Sequence, residues 1–172
     1  MSKKFYSQVE MRLDSKGRVA LPPQYRKFFE NDVVVWRMGN HLKVFTPKGF
    51  DEVAGVVNQH TKLENRGIQD YFSPDAQRDR RLFYANRFDM QLDGNHRITV
   101  PKTLRSQLAM VEDVVWLGCG DYLELWAEHH YLADCARLGE ASGNNTLFAG
   151  SPPSIPSAQD STTPGIEGDG QE

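Results

Sequence analysis

A carboxylate and a guanidinium recur at the same spacing in two places along this chain. Asp14 and Arg18 are four residues apart with Gly17 between them, and Asp93 and Arg97 repeat that spacing 79 residues later. An aspartate at the start of a tight turn accepts hydrogen bonds from backbone N–H groups. An arginine at its end can bind a phosphate or a guanine edge through two parallel hydrogen bonds. The pattern therefore predicts two tight turns. In each turn the aspartate stabilises the backbone, and the arginine is available to an anionic partner.

Each of these residues also has a structural interpretation. Asp14 and Asp93 are expected mainly to shape the turns, and Gly17 to supply a positive φ. Arg18 has two open roles, an ion pair with Asp14 or a contact to nucleic acid, and we favour the contact. For Arg97 the ion pair is favoured because its surroundings are acidic, although it stays among the candidate DNA contacts.

The motif belongs to a longer internal repeat of about 45 residues. Arg26 aligns with Arg105, and after a two-residue insertion Asp32-Val33-Val34 aligns with Asp113-Val114-Val115. The short strands of one copy are too few to bury a core alone, so the two copies are expected to pack against each other. The sequence thus predicts an intramolecular pair of repeats.

Hydrophobic periodicity predicts the same elements in both copies. Residues 9–13 and 19–21 alternate apolar and polar side chains around a glycine turn, which indicates a β-hairpin. A proline-led helix is expected near 23–30. A second hairpin is expected over 33–45, followed by a helix that begins at Thr46-Pro47. The remaining predicted elements are a helix from Ser73-Pro74 to Ala85, strands at 88–92, 98–100, 114–117 and 122–126, and a closing helix over 128–138. Trp36, Trp116, Trp126 and Phe45 are predicted to be core or interface aromatics.

Charge is distributed unevenly along the chain. The formal net charge is −3, but residues 1–48 carry ten basic residues and four acids, whereas residues 93–138 carry four and seven. This excess in the first copy favours attraction to a polyanion, with a drift of charge on solvated surfaces as the alternative. Residues 139–172 carry five acids and no lysine or arginine, and they are rich in Ser, Pro and Gly. That composition predicts a disordered acidic tail.

Catalytic and metal chemistry have no candidate residues here. Cys119 and Cys135 lack ligand or disulfide spacing, and His129 and His130 lack partners for a metal site or a triad. No glycine-rich phosphate loop or paired-carboxylate cleft is evident. There is no signal-peptide pattern and no apolar run of about 18 residues. We therefore expect a cytoplasmic protein that is not an enzyme and has no metal, cofactor, membrane or small-molecule partner.

The Asp-x-x-Gly-Arg turn with a proline-led helix after it, at 14–18 and in degraded form at 93–97, resembles the MraZ family of bacterial transcriptional regulators. The likeness covers about residues 1–138. It implies an α+β, β-rich fold, in which two tandem AbrB-like swapped-hairpin units form an intramolecular pseudo-dimeric barrel. It also implies ring-shaped homo-oligomers that bind short direct repeats in promoter DNA, upstream of the family's own division and cell-wall genes. His96 departs from the family pattern, which has glycine there, so we expect a reshaped second turn.

The motif, the charge distribution and the resemblance together predict a sequence-specific DNA-binding regulator associated with the nucleoid; the resemblance implies that it regulates its own promoter. Its expected partners are double-stranded promoter DNA and copies of itself. A two-stranded β-ribbon fits the major groove, which is about 12 Å wide. The alternative is an oligomeric protein-binding scaffold, whose acidic tail recruits a partner without sequence-specific recognition of DNA.

The predicted domains are a first AbrB-like repeat at 5–51, a connecting helical segment at 52–86, a second repeat at 87–138 and the acidic tail at 139–172. The residues predicted to contact DNA are Arg18, Lys16, Arg12, Arg26, Lys3, Lys4 and Arg97. In a ring, many such turns on one face would gain affinity through effective concentration.

Overall fold

The duplicated sequence folds into a duplicated set of elements. In the computed structural model the first copy contains β1 (Gln8–Arg12), β2 (Arg18–Ala20), α1 (Pro23–Arg26), β3 (Asp32–Met38), β4 (His41–Phe45) and α2 (Pro47–His60). Helix α3 (Pro74–Tyr84) follows, and the second copy contains β5 (Arg87–Gln91), β6 (Arg97–Thr99), α4 (Lys102–Gln107), β7 (Asp113–Gly118), β8 (Leu123–Ala127) and α5 (Glu128–Ala141). The element order of the first copy is thus repeated in the second, and α3 lies between them.

The structure describes residues 5–60 and 73–141, and the side chains of these except 57–60 and 140–141. Lys3, Lys4 and residues 142–172 of the predicted tail (139–172) lie outside these ranges. Residues 139–141, predicted to belong to the tail, lie in α5 instead, because the helix continues three residues beyond its predicted end. The chain divides after Ala133 into two units, Met1–Ala133 and Asp134–Glu172. The described part of the second unit is the C-terminal portion of α5, in which Arg137 Nη2 donates to Asp134 Oδ1 at 2.7 Å.

Most of the predicted elements are confirmed. Strand β4 has the predicted bounds, and α3 begins after Ser73, whose Oγ accepts a hydrogen bond from Ala76 N at 3.3 Å. Helix α1 is shorter than predicted and ends at Arg26. The next N–H groups, of Phe28 and Phe29, bond to carbonyls three residues back, which tightens the chain into a turn. This turn buries Phe29, whose ring stacks on that of Phe5.

The predicted pairing of β1 with β2 in a local hairpin is wrong. Strand β1 pairs with β7 of the second copy, and β2 pairs with β6. Strand β5 likewise pairs with β3 rather than with β6. Since a strand of three residues cannot bury an apolar face by itself, β2 and β6 lie against each other instead. The turns at residues 14–18 and 93–97 are therefore kept, but the strands on either side of each turn pair with strands of the other copy.

Among the residues that the structure describes, all pairs of the named strands are antiparallel and form two sheets. One sheet has six strands in the order β1-β7-β8-β4-β3-β5, and the other is the β2–β6 ribbon. The hairpins predicted over 33–45 and 114–126 are confirmed by the pairs β3–β4 and β7–β8. With its helices, the described part of the chain is a mixed α+β fold dominated by antiparallel sheet.

The core lies between the ribbon and one face of the large sheet. Val19 and Ile98 are paired in register and are both fully buried within the same cluster as Trp116. A smaller cluster, built on Val34, Phe45 and Phe50, lies on a different part of the sheet. The buried Trp116, Trp126 and Phe45 confirm the prediction that these rings belong to the core. Trp36 is half-buried, and its Nε1 donates to Phe83 O at 2.9 Å. The core thus fixes the ribbon whose ends carry both Asp–Arg turns.

Candidate nucleic-acid interface

Asp14 closes the first turn (residues 14–18) through its side chain and its backbone. Its Oδ1 accepts hydrogen bonds from the backbone N–H groups of Lys16 and Arg18, both at 2.9 Å. Its carbonyl accepts one from Gly17 N at 2.8 Å, and its own N–H donates to Arg18 O at 2.9 Å. Gly17 has a φ of +76°, in the left-handed region that glycine enters without strain. The sequence thus specifies both the hydrogen bonds and the conformation of this turn.

The same carboxylate holds the side chain of Arg18. Arg18 Nε donates to Asp14 Oδ2 at 2.7 Å, and Nη2 lies 2.6 Å from that oxygen. The hydrogen bond from the Arg18 side chain and then that from its backbone N–H lower the pKa of Asp14 from 3.8 to about 2, against a smaller opposing effect of burial. The two side chains are 28% and 33% exposed. A pair this exposed adds little stability, and its main effect is to orient the guanidinium.

The second turn (residues 93–97) makes the same contacts. Asp93 Oδ1 accepts hydrogen bonds from Asn95 N at 2.9 Å and Arg97 N at 3.0 Å, and Arg97 Nε donates to Oδ2 at 2.7 Å. Burial raises the pKa of Asp93, but the hydrogen bonds from Arg97 and Asn95 together lower it below its usual value. His96 has a φ of +55° and donates its N–H to Asp93 O at 2.8 Å, as Gly17 does to Asp14. The expectation that His96 reshapes this turn is therefore wrong, because the histidine itself takes up the left-handed conformation.

The charged pairs of the two turns approach each other. Arg97 Nη1 lies 3.8 Å from Asp14 Oδ2, so a guanidinium of the second copy faces a carboxylate of the first. The pKa of Arg18 is raised first by its hydrogen bond to Asp14 and further by the charges of Asp14 and Asp93, against an opposing effect of burial. The two aspartates and two arginines thus form one partly exposed cluster. It is balanced in charge, so any surplus of positive charge must come from its neighbours.

Arg105 of α4 supplies such a neighbour to the first turn. A Cβ placed on Gly17 would lie 2.6 Å from Arg105 Cζ and 2.9 Å from its Nη2, so the guanidinium packs directly on the glycine. Arg105 Nε also donates to Val100 O at 3.1 Å, and Val100 N donates to Gly17 O at 2.9 Å. Arg105 is absent from the residues that the sequence predicts, although its counterpart Arg26 is among them. The repeat alignment carries the signal that would have found it.

Arg26 makes the equivalent contacts beside the second turn. Its Nε donates to Leu21 O at 3.0 Å, and Leu21 N donates to His96 O at 2.8 Å. Each turn is therefore accompanied by the arginine of the other copy, because β2 and β6 exchange partners. Gly17 is buried under Arg105, whereas His96, at the equivalent position of the second turn, is exposed.

The other predicted cations lie in different surroundings. Lys16 is exposed at the tip of the first turn. Arg12, 67% exposed, forms ion pairs with Asp113 at 2.8 Å and Glu112 at 3.3 Å across the β1–β7 edge. Among the described residues no group of three or more His, Cys, Asp and Glu side chains could hold a metal ion. Over the same ranges, no helix has the length and apolar character needed to cross a bilayer.

The structure is a duplicated α+β fold in which each copy carries a turn held by an aspartate, and the two turns approach each other across the copies. The family model described as "MraZ protein, putative antitoxin-like" matches residues 5–70 and 83–146, which include both turns. The chain belongs to the MraZ family.

Its relatives carry the name Transcriptional regulator MraZ. The protein of Stenotrophomonas maltophilia is 31% identical over 135 residues, covering 75% of this chain and 86% of the relative. That of Xylella fastidiosa is 32% identical over 136 residues, covering 74% and 86%. That of Mycoplasmoides gallisepticum is 26% identical over 130 residues, covering 74% and 84%.

Proposed function

We propose that this protein is a DNA-binding transcriptional regulator that reads DNA mainly through its first turn. One observation carries the proposal: Lys16 and Arg18 flank Gly17 in the chain, and Arg105 packs on that same glycine. Three cations around one tight turn offer point-charge and bidentate contacts to phosphates and base edges. The names of the relatives support the same function.

The ion pair with Asp14 is compatible with this role for Arg18. The carboxylate engages Nε and Nη2, and Nη1 is not part of the contact. An arginine that is already oriented loses less side-chain freedom when it binds a phosphate or a guanine. Asp14 thus acts as a positioning residue in this proposal, and Arg18 as the residue that contacts DNA.

The contributions of the remaining candidates follow from their positions. Lys16, at the exposed tip, is assigned a phosphate contact, and Arg26 and Arg97 form a weaker counterpart site at the second turn. Arg12 is a peripheral contact, because DNA must compete with Asp113 and Glu112 for its guanidinium. Lys3 and Lys4 are proposed as further phosphate contacts from the sequence alone.

The finer features of the function are proposals that stem from the family resemblance. We propose that the two repeats, with the domain bounds given above, form an AbrB-like swapped-hairpin barrel. The chain assembles into ring-shaped homo-oligomers that bind short direct repeats in its own promoter. It acts in the cytoplasm in association with the nucleoid, and needs neither a cofactor nor catalysis for this function.

The test is fluorescence anisotropy with a labelled duplex from upstream of the protein's own gene, and a scrambled duplex of equal length for comparison. Arg18→Ala should weaken binding roughly 5- to 150-fold, the range expected for one bidentate arginine contact. Loss of Lys16 should reduce the slope of log affinity against log salt by about 1, since each neutralised phosphate contributes about 0.9 to that slope. Arg105→Ala should also weaken binding, although it lies outside the motif.

Arg87→Ala is the matched control, since Arg87 is 30% exposed and ion-paired to Asp89 at 2.8 Å but lies on β5, outside the turn. It should bind DNA like the wild type. Circular dichroism of each variant separates lost binding from lost folding. Equal affinity of Arg18→Ala and wild type would refute the first turn as the reader. A wild type that does not distinguish the promoter from the scrambled duplex would favour the scaffold function instead.

A further inference from the structure

Strands β4 and β8 bring equivalent positions of the two copies face to face. Leu42-Lys43-Val44-Phe45 aligns with Leu123-Glu124-Leu125-Trp126 in the repeat. The two strands pair antiparallel in the middle of the large sheet, with Lys43 directly opposite Glu124. A residue at the symmetry centre of a dimer of identical units would face its own copy. Here that position carries opposite charges in the two halves.

The two charges lie in a half-closed environment. Lys43 Nζ is 3.6 Å from Glu124 Oε1, and the side chains are only 15% and 13% exposed. Trp126 Nε1 donates to Glu124 Oε2 at 2.9 Å, and His41 Nε2 lies 3.4 Å from Oε1. Lys43 Nζ also donates to Tyr122 Oη at 2.9 Å. Charges this shielded from water interact more strongly than surface pairs do.

Apart from Lys43, Glu124 and the neighbouring His41, the seam formed by the paired strands β4 and β8 does not distinguish the copies by charge. His41 stacks on Trp126 with ring centroids 4.1 Å apart, and Phe45 meets Tyr122 at 5.1 Å. Any pairing of copies would therefore bring one aromatic ring against another at both flanking positions. The apolar pairs Leu42–Leu125 and Val44–Leu123 are equally undiscriminating.

We infer that the Lys43–Glu124 contact makes the pairing at this seam selective. It favours pairing of a first copy with a second copy, and it disfavours pairing of two first copies or of two second copies. Two first copies would oppose lysine to lysine, and two second copies would oppose glutamate to glutamate. Like charges directly opposite each other across strands destabilise the pair. The contact thus directs the first copy of a chain to a second copy, and disfavours association of like copies from separate chains. This inference does not depend on DNA binding.

Charge inversion in the full chain reproduces each rejected combination without dissecting the protein. Lys43→Glu opposes two glutamates, Glu124→Lys opposes two lysines, and the double variant restores opposite charges in the reverse order. In urea unfolding, each single inversion should lower the midpoint, and the double variant should regain more than about half of the combined loss. A double variant whose loss equals the sum of the two single losses would overturn the inference.

Neutral variants separate repulsion from simple loss of the ion pair. Lys43→Glu should have a lower midpoint than Lys43→Met, and Glu124→Lys a lower one than Glu124→Gln; equal midpoints within each pair would contradict a selective seam. If both single inversions fail to fold, folding of the double variant supports the inference, and its failure overturns it.

A second cross-copy ion pair provides the control for position. Arg12 and Asp113 are also directly opposed across strands, but their side chains are 67% and 48% exposed. Inverting each of them should shift the midpoint much less than inverting Lys43 or Glu124 does. Equal shifts at both positions would show that the seam has no special role.

Discussion

Replacing Gly17 with alanine tests whether the first turn and Arg105 form one unit. The new methyl group would meet Arg105 Nε, Cζ and Nη2, with Cζ at 2.6 Å. It would also have to keep a φ of +76°. The substitution therefore acts on the backbone and on the arginine at once.

The two effects have magnitudes that can be set side by side. A non-glycine residue in the left-handed region costs about 1–2 kcal/mol. Moving Arg105 also breaks its hydrogen bond to Val100 O at 3.1 Å, and a bond from a charged group contributes about 1.5–3 kcal/mol. Arg105 is only half-buried, so we take about 0.5–1 kcal/mol for this loss, because water replaces part of the bond. The expected loss of unfolding free energy is about 1.5–3 kcal/mol.

His96 provides the matched control in the second turn. It occupies the equivalent position with a φ of +55° and already has a Cβ. His96→Ala keeps the backbone strain unchanged and should alter stability by less than about 0.5 kcal/mol. His96→Gly removes the strain and should stabilise the protein by up to about 1 kcal/mol.

Urea unfolding of the three variants measures these free energies, and anisotropy with the promoter duplex measures binding. Gly17→Ala should weaken both stability and DNA binding, whereas His96→Ala should change stability little. A Gly17→Ala protein as stable as the wild type would refute the packing of Arg105 on the glycine. Lost stability with unchanged DNA affinity would remove Arg105 from the proposed interface.

Three further predictions concern the rest of the fold. Gly118→Ala should cost at least about 1–3 kcal/mol in urea unfolding, because its Cβ would meet backbone atoms of Tyr6, with Cα at 2.7 Å; Gly94→Ala, where the space is open, should be neutral, and equal costs would contradict the geometry. Trp116→Ala should cost about 3–5 kcal/mol by emptying a fully buried site, and a cost below about 1 kcal/mol would show that the ring is not in the core. Burial raises the pKa of Glu124, but the contacts with His41, Trp126 and Lys43 outweigh it and lower the pKa from 4.5 to about 2. The stability from this carboxylate is therefore present above about pH 4.5 and lost as the pH falls toward 2, so Glu124→Gln and wild type should differ most near pH 6 and converge near pH 2.

The elements of this fold can be predicted from sequence because periodicity and capping are local. Alternation around Gly17 identifies two strands and a turn, and Ser73 identifies the start of α3. Because the sequence is repeated, an element predicted in one copy can be compared with the element predicted at the equivalent position of the other. The alternation of apolar and polar residues shows which side of a strand faces the core. That side is the same whether the strand pairs with its neighbour in the chain or with a strand of the other copy. Local periodicity alone therefore could not distinguish a closed hairpin from an exchanged one.

The candidate site shows the same division between local and distant contacts. Asp14 and Arg18 are recognisable because their hydrogen bonds span four residues, and an aspartate at that spacing from a glycine turn has few other roles. Arg105 joins them only through the exchange of β2 and β6, which brings residue 105 onto residue 17. The charge of Arg12 predicts a contact to DNA, but the β1–β7 pairing places it opposite Asp113, with which DNA would have to compete. Residue type predicts what a side chain can bind, and long-range pairing decides what it meets.

A difference in sequence between the two copies has one consequence at the turns and another at the seam where β4 pairs with β8. At the turns, Gly17 lies under Arg105 while the equivalent His96 is exposed, so His96 can occupy the glycine position at the cost of local strain while its hydrogen bonds persist. At the central seam, equivalent positions face each other, so a change at Lys43 alters the environment of Glu124 at once. Divergence at the turns can therefore proceed one residue at a time and tune what each turn contacts. Divergence at the seam must be complementary, which explains in physical terms why the opposite charges of the two copies meet there.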